Sequence, residues 1–268
     1  MIEADFLHWS TWLLLIAAAG AGFVDAVAGG GGLIQVPSLF ALYPNTSPAT
    51  LLGTNKLASI GGTLIAAKRY LKSVKLPYFI IIPAILAAFL GSFAGAAAVR
   101  SVSLDVFRAL LPLILFTLLI YTVLQPTLGS AHMPPSSSNK NIGRALLMGG
   151  GIGFYDGFFG PGTGSFLLIG FVRLFGFDFL HASAATKLVN ATTNLAAIIL
   201  FASFGHVDWL LGFAMMFLNI FGSIVGSGYA LRYGNGFVRK IFIGVVGALI
   251  IKTSLDAYQY FYPLYRAL

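Results

Sequence analysis

The chain contains no cysteine. That absence removes disulfides, thiolate metal centres and any thiol relay from the chemistry open to it. Charge is nearly as scarce. Asp, Glu, Lys and Arg make up 9% of the 268 residues, against about a quarter in a soluble domain. Too little polar surface remains to coat a globule in water. The 16 Lys and Arg outnumber 8 Asp and Glu, but the basic residues sit in short loops between apolar runs. Such loops report membrane topology rather than a phosphate-binding face. No nucleic-acid partner is expected.

What the chain has in quantity is hydrocarbon: 58% hydrophobic residues and a mean hydropathy of +0.89. The windows 6–24, 76–99, 109–139 and 209–231 carry no charged residue. About 20 apolar residues as helix cross a hydrocarbon core of roughly 30 Å. The runs are continuous rather than alternating, which argues against a transmembrane barrel. Glu3 and Asp5 are the wrong charges for the front of a cleaved signal peptide. The expected fold class is an all-α polytopic membrane protein in contact with lipid, multi-pass.

The chain repeats itself. A shift of 131 positions aligns Gly22 with Gly153, Phe23 with Phe154, Asp25 with Asp156, Gly29 with Gly160, Gly31 with Gly162 and Lys56 with Lys187. The same shift aligns Gly91, Ser92, Gly95 and Arg108 with Gly222, Ser223, Gly226 and Arg239. Residues 1–125 are read as a first membrane repeat and 142–268 as a second. The Pro/Ser-rich segment 126–141 between them is read as a cytoplasmic linker.

Loop charge sets orientation. KRYLKSVK (68–75) carries four positive charges, whereas its counterpart SFGHVD (203–208) is acidic. The next pair reverses, with RSVSLD (100–105) neutral and RYGNGFVRK (232–240) carrying three positives. Cytoplasmic loops are the basic ones, so equivalent loops are expected on opposite faces. The repeats are read as inverted in topology, a property of secondary transporters.

In the first half, spans are expected at 7–28, 77–99 and 103–124, with two arms over 33–70 broken by Pro37, Pro44 and Pro48. In the second they fall at 142–160, 209–231 and 237–260, with arms at 165–175 and 180–203. The arms read as broken helices or re-entrant hairpins near the bilayer midplane.

Four charges fall inside this apolar layout: Asp25, Lys56, Asp156 and Lys187. Each costs at least about 2.5 kcal/mol at a bilayer centre, so each demands a reason. Thr54, Asn55 and Ser59 flank the first lysine; Thr186, Asn190 and Asn194 flank the second. Spacing of three to four residues aligns these groups on helix faces. Ammonium for charge beside amides and hydroxyls for oxygens suits an oxyanion. The glycine segments at Gly30, Gly31 and Gly32 and at Gly162, Thr163 and Gly164 precede apolar arms. Bare N–H groups at a helix start attract anions.

Asp25 and Asp156 are expected to orient the lysines or to carry a coupling proton. The plain structural alternative pairs Lys56 with Asp25 and Lys187 with Asp156 inside each half. Gly91/Gly95 and Gly222/Gly226 read as close-packing positions. His181 and His206 read as loop residues, and Trp9, Trp12 and Trp209 as interface anchors. Arg108 and Arg239 read as snorkelling side chains near span ends.

At AGFVDAVAGGGGLIQVPSL, LLGTNKLASIGGT, GFYDGFFGPGTGSFLL and HASAATKLVNATTNLAA the chain resembles the sulfite exporter TauE/SafE family, also called the toluene-sulfonate uptake permease family. The resemblance implies a carrier in a bacterial inner membrane for sulfite, sulfoacetate or other organosulfonates, coupled to protons. Thr186 stands where the first half has Asn55, so two unequal half-sites are expected. An anion channel on the same architecture and a carrier of a non-sulfur carboxylate are the competing readings. No enzyme activity, cofactor or metal is expected, and a homodimer is left open.

Overall fold

The structure, a computed structural model, describes residues 9–43, 46–99 and 132–266. The expected span at 103–124, Arg108 and the start of the linker lie outside them, as does the side chain of Arg239. The described residues form helices joined by short turns. They are α1 (Trp9–Ala28), α2 (Gly32–Leu42), α3 (Pro48–Leu71), α4 (Tyr78–Ala98), α5 (Asn139–Phe158), α6 (Thr163–Phe175), α7 (Phe179–Ser203) and α8 (Trp209–Arg266). By the shift of 131, α1 to α4 correspond to α5 to α8.

Among the described residues, four segments are long and apolar enough to cross a membrane: Thr11–Ala28, Tyr78–Ala98, Phe179–Ser203 and Trp209–Gly234. In α3, Thr54, Asn55, Lys56, Ser59 and Thr63 dilute the hydropathy, while α5 is diluted by glycine. Helices α2 and α6 have 11 and 13 residues. At about 1.5 Å per residue these reach roughly 16 to 20 Å, about half a bilayer.

Three sequence expectations change. Pro37 does not break the chain; α2 runs through it, and Ser38 donates its hydroxyl to Ile34 O at 2.7 Å in the proline turn. Membrane helices tolerate proline where such groups re-satisfy the backbone. Helix α2 instead ends at Leu42, and Ser47 caps α3 with Pro48 in its first turn. Helix α5 begins at Asn139, capped by Ser138, three residues ahead of the expected start at 142. The gap expected between 231 and 237 contracts to one point, Gly234, at φ 68° and ψ −161°.

The helices pack by exchange between halves. Helix α1 lies against α8 and its equivalent α5 against α4, while α3 packs on α8 and α7 on α4. Glycine makes these crossings close. A methyl on Gly91 would strike Phe154 and Gly150, and a methyl on Gly222 would strike Phe23 and Ala19, the equivalent residues. Gly95 and Gly226 repeat the relation one turn on. The small-residue stripe thus brings backbones into contact, as apolar surroundings favour. Ser92 Oγ donates to Thr193 O at 2.8 Å and Ser223 Oγ to Gly62 O at 2.5 Å, again equivalent positions.

Helices α3 and α7 run antiparallel. Gly53, near the start of α3, faces Phe201 near the end of α7. Tyr70 near the end of α3 shares an apolar cluster with Phe179 and Ala182 at the start of α7. The turn after α7 seals this end: His206 Nδ1 lies 3.2 Å from Thr50 Oγ1, and Asp208 N donates to Thr54 Oγ1 at 2.9 Å. Trp9, Trp12 and Trp209 are exposed on the outer surface.

Candidate functional site

Antiparallel crossing carries each central lysine across to the other half. Lys56 Nζ on α3 lies 2.7 Å from Asp156 Oδ1 on α5, and Lys187 Nζ on α7 lies 2.9 Å from Asp25 Oδ2 on α1. The pairing within each half is therefore not what forms. Side-chain exposures are 3% and 2% for the first pair and 1% and 11% for the second. Gly31 packs on Asp25 and its neighbour Gly32 faces Gly160, which borders Lys56 Nζ, so the two pairs share one neighbourhood. Two ammonium and two carboxylate groups sum to zero charge.

The glycine loops meet beside these pairs. Gly29 and Gly160 end α1 and α5 at φ 77° and 92°, a region that side chains disfavour. Gly29 lies against Gly164, close enough that a Cβ on either would enter the other's backbone. Gly32 faces Pro161 and Gly160, and Gly31 packs on Asp25 Cβ. A Cβ on Gly160 would stand 3.0 Å from Lys56 Nζ. Gly162 caps α6 at φ 85°.

Residues named from the sequence separate into two groups. Asn55 Oδ1, Thr186 Oγ1 and Asn194 Nδ2 are buried and have no hydrogen-bond partner. Asn190 is buried, and its Oδ1 accepts at 3.4 Å from Thr193. A buried polar atom without a partner costs about 1–3 kcal/mol, so such groups on the lysine-bearing helices mark a place where a guest or water would bond. The others are occupied. Thr54 leaves the site, donating to Thr50 O and accepting from Asp208 N. Thr163 Oγ1 donates to Gly160 O at 2.8 Å, and Gly164 is spent on loop packing. Gly30 has only ordinary contacts.

Two residues went unmarked in the sequence. Gln35 on α2 is fully buried; its Oε1 accepts from Ser59 Oγ at 2.8 Å and its Nε2 has no partner. Thr63 Oγ1 reaches Asp25 Oδ2 at 3.3 Å. The signal for Gln35 was its standing as the lone amide within an apolar arm, GLIQVPSL.

One further cluster brings His132, Asp178 and His181 within 4.8 Å by their ligand atoms. The two imidazoles stack at 3.6 Å and 19°. Nearly parallel rings have no nearby point in both planes, where a metal would sit, so the contact is packing.

An all-helical bundle with helices apolar enough to cross a membrane, burying two ion pairs and unbonded amides, is the architecture of a membrane transporter. The profile described as "Sulfite exporter TauE/SafE" matches residues 14–253, and the chain belongs to that family. It is 37% identical over 246 residues to the "Probable membrane transporter protein YfcA" of Escherichia coli (strain K12), covering 92% of this chain and 90% of that protein. A "Probable membrane transporter protein" of Haemophilus influenzae is 37% identical over 236 residues, 88% of this chain and 91% of the relative. The "Probable membrane transporter protein YunE" of Bacillus subtilis is 25% identical over 271 residues, 91% and 98% of the two chains. No solved structure matches the chain significantly.

Proposed function

We propose that the protein is a secondary transporter of small sulfur-containing anions such as sulfite or sulfoacetate. It works by alternating access with proton coupling in a bacterial inner membrane. The observation that carries this reading is the central cluster. Lys56 and Lys187 supply cations, while Gln35, Asn55, Thr186 and Asn194 hold hydrogen-bonding atoms in reserve around them. An oxyanion needs both. Family membership supports sulfur as the central atom. The exchanged helix contacts and the antiparallel α3 and α7 support inverted repeats, in which the two halves can rock about one site. Almost complete burial of the Lys56–Asp156 pair favours a carrier over an open pore.

Reconstitution into proteoliposomes tests the reading. Labelled sulfite or sulfoacetate should enter saturably and exchange faster against unlabelled anion on the far side, whereas malonate should not. Wild-type rates in both Lys56→Ala and Lys187→Ala would overturn the site. Saturable exchange of malonate alone would overturn the substrate class.

A further inference from the structure

The two ion pairs occupy equivalent positions but have unequal surroundings. Asp25 Oδ2 accepts from Lys187 Nζ and lies 3.3 Å from Thr63 Oγ1, whose single proton is shared with Ser59 O at 2.9 Å; Lys187 donates to Asp25 O as well. In the other pair, Asp156 Oδ1 takes Lys56, while Asp156 Oδ2 is buried with no partner. The position equivalent to Thr63 is Asn194, and its Nδ2 has no partner either. One carboxylate thus has a hydroxyl beside its paired oxygen and 11% exposure, whereas the other leaves an oxygen buried and unbonded at 2% exposure.

We propose that the pairs do different work: Lys187–Asp25 stays a fixed, ionised pair between α7 and α1 whose lysine adds positive potential for the guest, and Asp156, through Oδ2, accepts the coupling proton. The inference rests on the transport reading and gives its proton a named atom. An ionised carboxylate is held in low dielectric by the hydrogen bonds it accepts, and an unbonded oxygen lacks that support. The charge balance agrees. With both pairs ionised the centre sums to zero, so a monovalent anion such as hydrogensulfite brings it to −1. A proton on Asp156 Oδ2 restores zero, with Lys56 kept as ammonium and freed to meet the guest.

Uncompensated charge in such an interior costs several kcal/mol, so anion and proton enter and leave together. The proton comes from water on one face, forms one O–H bond and returns to water on the other. Among the described residues, Lys56 of α3 pairs with Asp156, and Tyr155 precedes it on α5. The Tyr155 hydroxyl is donated to Pro161 O at 2.6 Å.

Infrared difference spectra of purified protein, titrated from alkaline to acidic pH, give a readout that needs no cargo. A carbonyl stretch of a protonated buried carboxyl should appear, survive in Asp25→Asn and vanish in Asp156→Asn. Asp156→Glu, which keeps the carboxyl, should move its frequency and serves if the amide variant does not fold. Asn194→Thr, which places a hydroxyl by Asp156 where Asp25 has that of Thr63, should push the band's appearance to lower pH. A band that persists in Asp156→Asn, or disappears in Asp25→Asn while persisting in Asp156→Glu unshifted, overturns the assignment. So does the absence of any band in the wild type. If the wild type carries no sulfur anion, the substrate reading fails while the spectra still decide the proton's site.

Discussion

Lys56 and Asp156 belong to different halves of the chain, yet their charged atoms lie 2.7 Å apart. The relation is returned by Lys187 and Asp25. Each half therefore depends on the other for neutralising its central lysine, and neither can hold its own charges alone. Removing one partner of a buried pair costs about 3–5 kcal/mol, because the remaining charge stays buried. Lys56→Leu and Asp156→Leu should each lower the unfolding midpoint in detergent sharply, and the double variant should melt above either single one. Lys56→Leu with Asp25→Leu should show no such recovery. A double-mutant cycle coupling Lys56 to Asp25 more strongly than to Asp156 would contradict the exchanged pairing.

The glycine crossings predict a contrast between positions of identical residue type. Gly222→Ala places a methyl in the backbone of Ala19, and Gly91→Ala does the same at Gly150. Each should destabilise by about 1–3 kcal/mol through overpacking. Gly20 and Gly151, also equivalent to one another, face open space. Alanine there should be neutral or stabilising, by up to about 1 kcal/mol from helix propensity. Melting in detergent of the four single variants ranks them, and equal effects at all four would refute the contact geometry.

Gly160 combines backbone and site. Its φ of 92° disfavours any side chain, and its Cβ direction points at the Lys56 ammonium. Backbone strain of this kind costs about 1–3 kcal/mol. Gly160→Ala should therefore fold with a lowered melting point and lose most anion transport, since Lys56 must move away. Alanine at Gly151 serves as the control. Unchanged transport in Gly160→Ala would show that the Lys56 position is not critical.

Much of this was legible from residues alone, and the reasons differ. Spans could be read because an uncharged run of helix-spanning length has few other uses. The duplication could be read because Asp25 and Lys56 recur among so few charges. The pairing could not, since each half carries one central Asp and one central Lys and nothing local distinguishes a partner in cis from one across the junction. Only the antiparallel packing of α3 and α7 decides it. Thr54 looked like a ligand from its place beside Lys56, but a helix turns about 100° per residue, and two positions earlier faces the α7–α8 turn. Pro37 looked like a break, yet a serine beside it serves the disturbed turn.

The linker carries a pH-dependent contact of its own. Met133 N donates to Gly176 O at 2.7 Å, and the His132 ring stacks on His181, whose Nδ1 lies 2.9 Å from Asp178 Oδ1. Burial, and then the proximity of His181, hold His132 below its ordinary value of 6.5, against the pull of Asp178. A histidine whose folded pKa is depressed binds fewer protons docked than released. The stability it contributes is whole above the undocked pKa, near 6.5, and is lost as pH falls through the lower docked value. Acidification should thus loosen residues 132–138 from the α6–α7 turn. Hydrogen exchange, corrected for the intrinsic rate, should show these amides less protected at pH 5 than at pH 7.5. His132→Phe, which keeps a stacking ring without a proton site, should remove that difference. If protection in the wild type is the same at both pH values, the stacked pair does not hold the linker.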